Sequence, residues 1–287
     1  QQICALRAIA RHRENLLRQG SRHIQHMQKA LDEMNLHLHH VIDDLTGVTG
    51  LAILSAILEG ERDPKVLAQL RDRRIQAGEE VLIQALCGDY RSEQLFVLRQ
   101  ALRSWQQVQE QVSECDSELQ KRTAGLESQL DVSKLATEVT PEAAKKKKKQ
   151  SRSRNAPAGV DWREELRRVF AVDLLQVPGI SISVGLTLLT EVGTDWSRFE
   201  SAGHFSSWLG ICPDNEISGG KVLRRRTRRA QSRVRMALRM AAQSLYQSKS
   251  VLGQRFRRLR ARMGGGEAII DMAHTLARIV WRLIHEQ

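Results

Sequence analysis

The spacing of apolar residues is the feature of this sequence that most restricts its fold. From residue 3 to residue 42 apolar side chains recur every three or four positions, and the same spacing returns in most later segments. This period is typical of helices that bury one face, whereas strands alternate every second residue. Continuous alternation is hardly seen anywhere. The sequence therefore predicts a mainly α fold.

Glycine and proline mark where several of these helices begin and end. We expect one long helix, or two joined near Gly20, over 3–42, followed by an apolar helix over 51–58 that a glycine closes. Asp63 and Pro64 form the N-cap and N1 arrangement that starts the next helix. Later helices are predicted over 162–170, 184–192, 232–245 and 267–284, with a loop over 208–218.

A heptad seam runs from Leu95 to Leu130, with apolar residues at 4-3 spacing and three polar breaks. Its members are Leu98, Leu102, Trp105, Gln109, Val112, Asp116, Leu119, Thr123, Leu126 and Leu130. This spacing is typical of a coiled-coil arm, which pairs helices through such a seam. We therefore predict a homo-oligomer, a dimer or tetramer, that assembles through the coiled coil.

A break in composition separates the two halves of the chain. The stretch 137–159 contains five consecutive lysines, Lys145 to Lys149, then Ser-Arg repeats and Pro157, with almost nothing to bury. We predict a disordered basic linker there. The predicted domains are a helical segment over 1–91, the coiled-coil arm over 92–136, the linker over 137–159 and a C-terminal helical domain over 160–287.

Positive charge is concentrated after this break. Residues 1–140 hold 17 Lys/Arg against 20 Asp/Glu, whereas residues 141–287 hold 28 against 13, and the whole chain carries a formal net charge of +12. No acidic residue occurs from Ile217 to Gly266. A one-sign stretch of this length indicates a bound polyanion, since arginine suits bidentate phosphate contacts. We expect DNA or RNA to be the partner of the second half.

Other bulk features exclude a few classes of protein. No apolar run is long enough to span a bilayer and no signal-peptide pattern opens the chain, so we expect a cytoplasmic protein without a membrane partner. The four cysteines are far apart and lack the spacing of a zinc site, so we expect free thiols. The histidines His37, His39 and His40 and the carboxylates Asp43 and Asp44 are interpreted as solvated polar faces and a helix cap, with no metal bound.

Ser218 is the candidate nucleophile. It is followed by Gly219 and Gly220, which would let a DNA backbone come close, and then by the cations that the stretch supplies. A serine hydroxyl needs a base, or cations that stabilise the charge developing on the attacked phosphorus. The candidate nucleic-acid-binding residues after the serine are Gly219, Gly220, Lys221, Arg224, Arg225, Arg226, Arg228, Arg229, Arg233 and Arg235. From spacing alone, an ordinary turn is the favoured interpretation of Ser-Gly-Gly.

Two short segments echo the hairpin of helix-hairpin-helix modules. One is Val177-Pro178-Gly179-Ile180-Ser181 and the other is Leu45-Thr46-Gly47-Val48-Thr49, and each precedes an apolar helix. In such modules a glycine turn and a helix N-terminus present backbone N–H groups to a DNA phosphate. Both lack the second glycine of the usual turn. We name Gly179 as a candidate phosphate contact and interpret the first copy, in the acidic half, as a plain turn.

Several separate motifs in one order resemble the transposases of the insertion-sequence-110 family. They are Asp161-Trp162-Arg163 with the segment to Ile180, Trp208-Leu209-Gly210 through Val222, Arg226-Thr227-Arg228, and Leu238 to Leu245. The segments 22–31 and 42–64 resemble the region that follows the nuclease domain of that family. The resemblance covers nearly all of the chain except the lysine linker.

The resemblance implies an RNA-guided DNA transposase or recombinase of a bacterial insertion sequence. Such enzymes join a RuvC-like nuclease domain, whose DEDD carboxylates hold Mg²⁺, to a C-terminal domain whose Ser-Gly-Gly serine attacks DNA. By motif position that serine is Ser218. A structured non-coding bridge RNA guides the enzyme to donor and target DNA, and its coiled coils cross between subunits. The expected location is the bacterial cytoplasm, at the nucleoid.

The sequence departs from the family at one point. None of Asp32, Asp43 and Asp44 lies in a motif that matches the nuclease carboxylates, and the chain opens on Gln1 within a helical pattern. We therefore expect Mg²⁺ in a RuvC-like domain outside this chain, no cofactor bound by the chain, and no cutting of DNA by this fragment alone. The alternative interpretation is a non-catalytic helix-hairpin-helix module that binds nucleic acid.

Overall fold

The structure, a computed structural model, describes residues 1–128, 155–212, 216–219, 221–224 and 232–286. The described residues form a mainly α fold, as the apolar spacing predicts. They divide into two compact units: the 11–115 unit, and the C-terminal unit made of 1–10 and 116–287. No helix in the described part of the chain is long and apolar enough to cross a membrane.

The first half contains two long helices with shorter ones between them. The elements are α1 (Gln2–Glu33), α2 (Leu38–Val41), α3 (Val48–Glu59), α4 (Pro64–Gln69), α5 (Glu79–Ala85) and α6 (Ser92–Ala124). The helix cap predicted from Asp43 and Asp44 is wrong, because the N-cap of α3 is Gly47 and no side chain makes a cap hydrogen bond there. Two other predicted caps are confirmed: the Asp63 carboxylate accepts a hydrogen bond from the Lys65 N–H at the start of α4, and Gly60 ends α3 in the left-handed region. Both satisfy backbone groups that a helix end leaves without a partner.

The first helix is shorter than expected, because it stops at Glu33. The Leu36 N–H bonds to the Leu31 carbonyl and the Asn35 N–H to the Asp32 carbonyl, while Asn35 has a φ of 57°. This pattern is a Schellman turn, which reverses the chain after a helix. Gly20 does not divide the helix and lies inside it.

Most apolar residues of the heptad seam are buried within the chain, whereas Trp105 is half-buried and Leu130 lies outside the described residues. In the 11–115 unit, Leu98 and Leu102 of α6 are buried in a core that they share with α1, α3, α4 and α5. The Gln94 amide donates to the Glu33 carboxylate, and the Gly20 backbone faces Val108. The start of α6 therefore lies beside the end of α1, so the two helices run antiparallel. The predicted oligomer through this seam stays a prediction.

The predicted linker 137–159 lies largely outside the described residues. Its last five residues are described, and they pack rather than extend: Pro157 is buried, and the Ala158 N–H donates to the Asp116 carboxylate of α6 at 2.8 Å. The prediction of nothing to bury is wrong for this end, since a proline ring and a backbone donor both find partners there. The lysines Lys145 to Lys149 lie outside the described residues.

The C-terminal unit packs short helices around two longer ones. Its elements after residue 155 are α7 (Trp162–Phe170), a 3₁₀ turn (Leu174–Gln176), α8 (Ile182–Glu191), α9 (Ala202–Trp208), β1 (Glu216–Ser218), β2 (Lys221–Arg224), α10 (Arg233–Ser244), a second 3₁₀ turn (Leu245–Gln247), α11 (Val251–Met263) and α12 (Gly265–His285). Serine hydroxyls cap four of these helices, at Ser181, Ser201, Ser232 and Ser250. Serine suits this position because its oxygen accepts from a free N–H of the first turn.

One core holds the C-terminal unit together. Its largest buried side chains are aromatic, among them Trp162, Phe170, Phe205 and Phe256, and the inner face of α12 adds Met272 and Leu276. Burying a large apolar side chain contributes about 1.5–3 kcal/mol each, so this core positions the surface elements firmly. The hairpin β1–β2 is attached to this unit.

Candidate nucleic-acid interface and nucleophile

Ser218 lies at the tip of a β-hairpin. β1 and β2 pair antiparallel, with Ser218 opposite Lys221 and Ile217 opposite Val222, and the register shifts between Glu216 and Ile217. The loop of 208–218 predicted from the sequence is therefore wrong at both ends, since Trp208 closes α9 and Ser218 ends a strand. The strand was missed because three residues are too few to show alternation, although Gly-Gly is a two-residue hairpin signal.

The turn at the tip depends on Gly219. Its φ is 54°, in the left-handed region that glycine adopts without strain. A two-residue hairpin loop with a positive φ at its first residue matches the twist of the flanking strands. An added Cβ would meet nothing within 4 Å, and both Ser218 and Gly219 are exposed. The backbone next to the serine is therefore open to a large ligand.

The segment after the hairpin is described only in part. Lys221 and Arg224 lie on β2, a strand that the sequence does not predict. Gly220, Arg225, Arg226, Arg228 and Arg229 lie outside the described residues. The basic helix begins at Arg233, with Ser232 as its N-cap.

Two predicted phosphate contacts on α10 have different surroundings. Arg233 lies 3.8 Å from the Glu191 carboxylate, so part of its charge is already matched. Arg235 is half-buried, and burial, followed by the neighbouring charge of Arg239, lowers the pKa of its guanidinium. The Arg239 Nε is buried with no hydrogen-bond partner among the described residues. Two crowded cations on one helix favour an anion nearby.

Gly179 forms the turn before α8, as the helix-hairpin-helix echo predicts. Its φ is 95°, and a Cβ placed there would lie 2.9 Å from the Ala241 carbonyl oxygen of α10. The glycine therefore lets the turn pack directly on α10. The Ser181 hydroxyl, which replaces the second glycine of the usual turn, accepts from the Val184 N–H and caps α8. No phosphate contact of Gly179 follows from this packing, so that role stays a prediction.

The first hairpin copy already has an anion of its own. The Asp44 carboxylate accepts from the Thr46 N–H at 2.9 Å and from the Thr46 hydroxyl at 2.8 Å. The negative charge of this carboxylate would repel a phosphate at the same turn. The acidic copy is therefore a plain turn that precedes α3, in line with its interpretation from the sequence.

A groove between α10, α11 and α12 was not found from the sequence. It measures about 560 Å³ and is lined by Met240, Gln243, Ser244, Tyr246, Gln247, Phe256, Arg260, Gly265 and Ile269. Tyr246 is 47% exposed, and the Arg260 guanidinium carbon lies 4.5 Å from the centre of its ring. Exposed aromatic rings beside arginine suit stacked nucleobases. The sequence feature that could have indicated this groove is Tyr246, a single tyrosine within the basic stretch.

α11 extends this basic surface. Five exposed arginines lie around this helix: Arg255, Arg257, Arg258, Arg260 and Arg262. Arg257 donates to the carbonyls of Tyr246 and Ser248, and Arg255 lies 3.9 Å from the Asp271 carboxylate. Arg258 and Arg262 lie one turn apart, so they can face the same stretch of phosphates.

One comparison with known proteins finds a family match over this part of the chain. Residues 172–257 match the model of the family described as Transposase IS116/IS110/IS902 family. The match begins just after α7 and ends within α11, so it includes Gly179, the hairpin with Ser218, and α10. No curated protein matches the chain.

Proposed function

We propose that this chain, whose residues 172–257 are those of an IS116/IS110/IS902-family transposase, exchanges DNA strands through the hydroxyl of Ser218. The family makes DNA the partner and recombination the reaction. Our proposal adds the nucleophile, a guide RNA that selects the DNA, and Mg²⁺ supplied by a separate nuclease domain. The observation that carries it is the exposed serine on a glycine hairpin within the matched segment.

The hairpin suits a nucleophile that attacks a phosphodiester. Ser218 is the last residue of β1, and nothing would crowd a side chain at Gly219. A phosphate can therefore approach the serine from the turn. The strand pairing fixes the backbone on the other side, which limits the orientations of the hydroxyl and lowers the entropy cost of reaching the reactive geometry.

The positive charge of the chain segment that contains Ser218 supports attack on an anion. No acidic residue lies between Ile217 and Gly266, while α10 carries Arg233, Arg235 and Arg239. A pentacoordinate phosphorus carries more negative charge on its oxygens than the diester, so fixed cations stabilise it more than they stabilise the bound DNA.

The proposed step balances without an added reagent. The Ser218 oxygen forms a bond to phosphorus as the bond from phosphorus to one strand oxygen breaks. The serine loses a proton, and the leaving strand takes one up as a hydroxyl. One phosphoester replaces another, so attack by the hydroxyl of a second strand reverses the step and rejoins DNA.

The described residues do not fit the Mg²⁺ that the resemblance implies. Mg²⁺ prefers several carboxylate and water oxygens in octahedral geometry. In the described ranges, the group of three side chains close enough to share an ion is Asp32, His37 and His40, which holds one carboxylate. We therefore derive no step through Mg²⁺ and propose that its ligands lie on the nuclease domain.

The groove and α11 support nucleic-acid binding apart from the chemistry. Tyr246 offers a ring for stacking, and Arg258 and Arg262 are exposed one turn apart. Stacking on an aromatic ring contributes about 1–3 kcal/mol per base and tolerates any sequence. This surface suits an unpaired strand of the target or a loop of the guide RNA.

The test compares two serine variants in the intact enzyme with its nuclease domain, guide RNA and labelled DNA. Ser218→Ala should abolish recombination and the protein–DNA adduct seen in denaturing electrophoresis, with binding nearly unchanged. Ser207→Ala is the matched control, because Ser207 is also exposed in the matched segment and lies on α9. An adduct that persists in Ser218→Ala would remove the proposal.

A second candidate function is a non-catalytic helix-hairpin-helix module. The turn at Gly179, with α7 before it and α8 after it, has the order of elements of that module. This reading predicts DNA binding that depends on the Gly179 turn and not on Ser218. Recombination at normal rate by Ser218→Ala, together with loss of binding when the turn is altered, would favour it.

A further inference from the structure

Three histidine rings gather around one carboxylate at the end of α1. The Asp32 Oδ1 atom lies 3.9 Å from His37 Nδ1, 3.4 Å from His39 Nε2 and 4.0 Å from His40 Nε2. The sequence predicts separate solvated polar faces for these histidines, but in the structure their rings meet at one carboxylate. His37 is not on a helix but precedes α2 as its N-cap, so the chain turns back toward Asp32.

Buried neighbours hold this arrangement in place. The Schellman turn at Asn35 fixes the backbone of Asp32 relative to Leu36, and Leu36 and Leu38 are fully buried on either side of His37. The His37 N–H donates to the Ala85 carbonyl at 2.8 Å. The side chains at 32, 37 and 40 are exposed, but the backbone that carries them is fixed.

The hydrogen bond of His37 decides which ring nitrogen faces Asp32. His37 Nε2 lies 3.1 Å from Asn35 Oδ1, an oxygen that can only accept, so Nε2 carries the proton. In the neutral ring Nδ1 is then a lone pair directed at a carboxylate. Two acceptors then face each other, which is unfavourable unless a proton or a metal cation lies between them. Histidines that ligate metals typically donate their other ring N–H to an oxygen, as His37 does to Asn35.

The position on the helix also favours a cation. Asp32 and Glu33 end α1, and no basic residue lies in its last turn. Carboxylates at a helix C-terminus oppose the partial negative charge of the free carbonyls. His39 also has an unsatisfied polar atom, because its Nδ1 is buried without a hydrogen-bond partner among the described residues. The site therefore has more acceptors than donors.

We propose that Asp32, His37 and His40 bind a divalent transition-metal ion such as Zn²⁺, which clamps the end of α1 to α2. Imidazole nitrogen with one carboxylate oxygen is a ligand set that zinc accepts, and three protein ligands leave a position for water. The three ligand atoms lie within 4.8 Å of one another. Ligands of a tetrahedral ion lie about 3.3 Å apart, so small rotations of exposed side chains close the site.

The test measures Zn²⁺ binding to the chain after treatment with a chelator. Titration calorimetry should give one tight site, and Asp32→Asn, His37→Gln and His40→Gln should each weaken it at least tenfold. Zn²⁺ should also raise the melting temperature of the unaltered chain but not of Asp32→Asn, because the ion binds the folded state. Co²⁺ in place of Zn²⁺ should give the visible bands of a four-coordinate site.

The matched control is His26→Gln. His26 is exposed on α1, and its ring lies 6.0 Å from that of His23, a pair that can also attract metal ions. Its replacement should leave the tight site unchanged. The proposal is overturned if no tight site is seen, or if His26→Gln weakens Zn²⁺ binding as much as His37→Gln does.

Discussion

Two glycines of the C-terminal unit both have a positive φ, but they differ in the space around them. Gly219 needs its conformation and has open space around it, whereas Gly179 needs both its conformation and its missing Cβ, because α10 lies against it. The sequence places both in turns but does not distinguish them. The difference arises from a helix more than fifty residues later in the chain, so only the folded structure reveals it.

Gly179→Ala should lower the free energy of unfolding by about 1–3 kcal/mol, the range for forcing a side chain into a strained backbone. The added Cβ would also lie 2.9 Å from a carbonyl oxygen. Gly203→Ala is the matched control, since Gly203 lies on α9 with nearest contact at 3.5 Å. Chemical denaturation measures both, and equal stabilities would show that the turn does not pack on α10 as described.

His274 on α12 makes the stability of the C-terminal unit depend on pH. Burial, followed by the charge of Arg278, lowers its pKa below the ordinary 6.5. The unfolded chain then binds more protons than the folded one below pH 6.5, so stability falls as the pH drops through that value. His274→Gln should flatten this slope in urea unfolding between pH 7.5 and 5.5. The exposed His12→Gln should not, and an equal effect of both would contradict the assignment.

The elements show where periodic patterns succeed and where they fail. Helix type and several caps, such as Asp63 before Pro64, follow from the sequence, because a cap depends on two or three neighbouring residues. The hairpin at Ser218 does not, since short strands carry little pattern. The end of α1 at Glu33 was also missed, because Asn35 in the left-handed region gives a weaker signal than glycine.

The seam of α6 gives an element-scale prediction. Leu98 is fully buried in the 11–115 unit, so Leu98→Ala should lower the free energy of unfolding by about 2–5 kcal/mol. The mass in light scattering should stay the same. Phe96→Ala, at a position 61% exposed, should change stability little. A fall in mass on Leu98→Ala without loss of stability would show that the seam joins subunits instead.

For the whole molecule, charge distribution was more predictable than the grouping of helices. Counting residues already places the polyanion with the second half. A residue count does not show that residues 1–10 belong to the C-terminal unit. That grouping depends on contacts such as those of Arg7, which donates to the carbonyls of Thr190 and Glu191 more than 180 positions away. Such long-range contacts have no local pattern. Ser218 was found only through the resemblance of its motif, since Ser-Gly-Gly alone describes many turns.

The charge asymmetry predicts how DNA binding responds to salt. Binding of a labelled duplex should weaken steeply between low and physiological salt, with a slope that counts the phosphates neutralised. Replacing Arg258 and Arg262 together with glutamine should reduce that slope by about 2, since each phosphate contact contributes about 0.9. Arg74 and Arg91 of the 11–115 unit are matched controls, because each already pairs with an aspartate. If replacing Arg258 and Arg262 leaves the salt slope unchanged, α11 is not part of the DNA interface.

The most direct measurement of the central claim is to locate the DNA adduct on the protein. Trypsin cleavage of the adduct should release the peptide 199–221, which begins at Phe199 and ends at Lys221. Fragmentation by mass spectrometry should place the nucleotide on Ser218, and not on Ser201, Ser206 or Ser207 of the same peptide. An adduct mapped to any other residue, or recombination by the intact enzyme with no covalent intermediate, would contradict the assignment of Ser218 as the nucleophile.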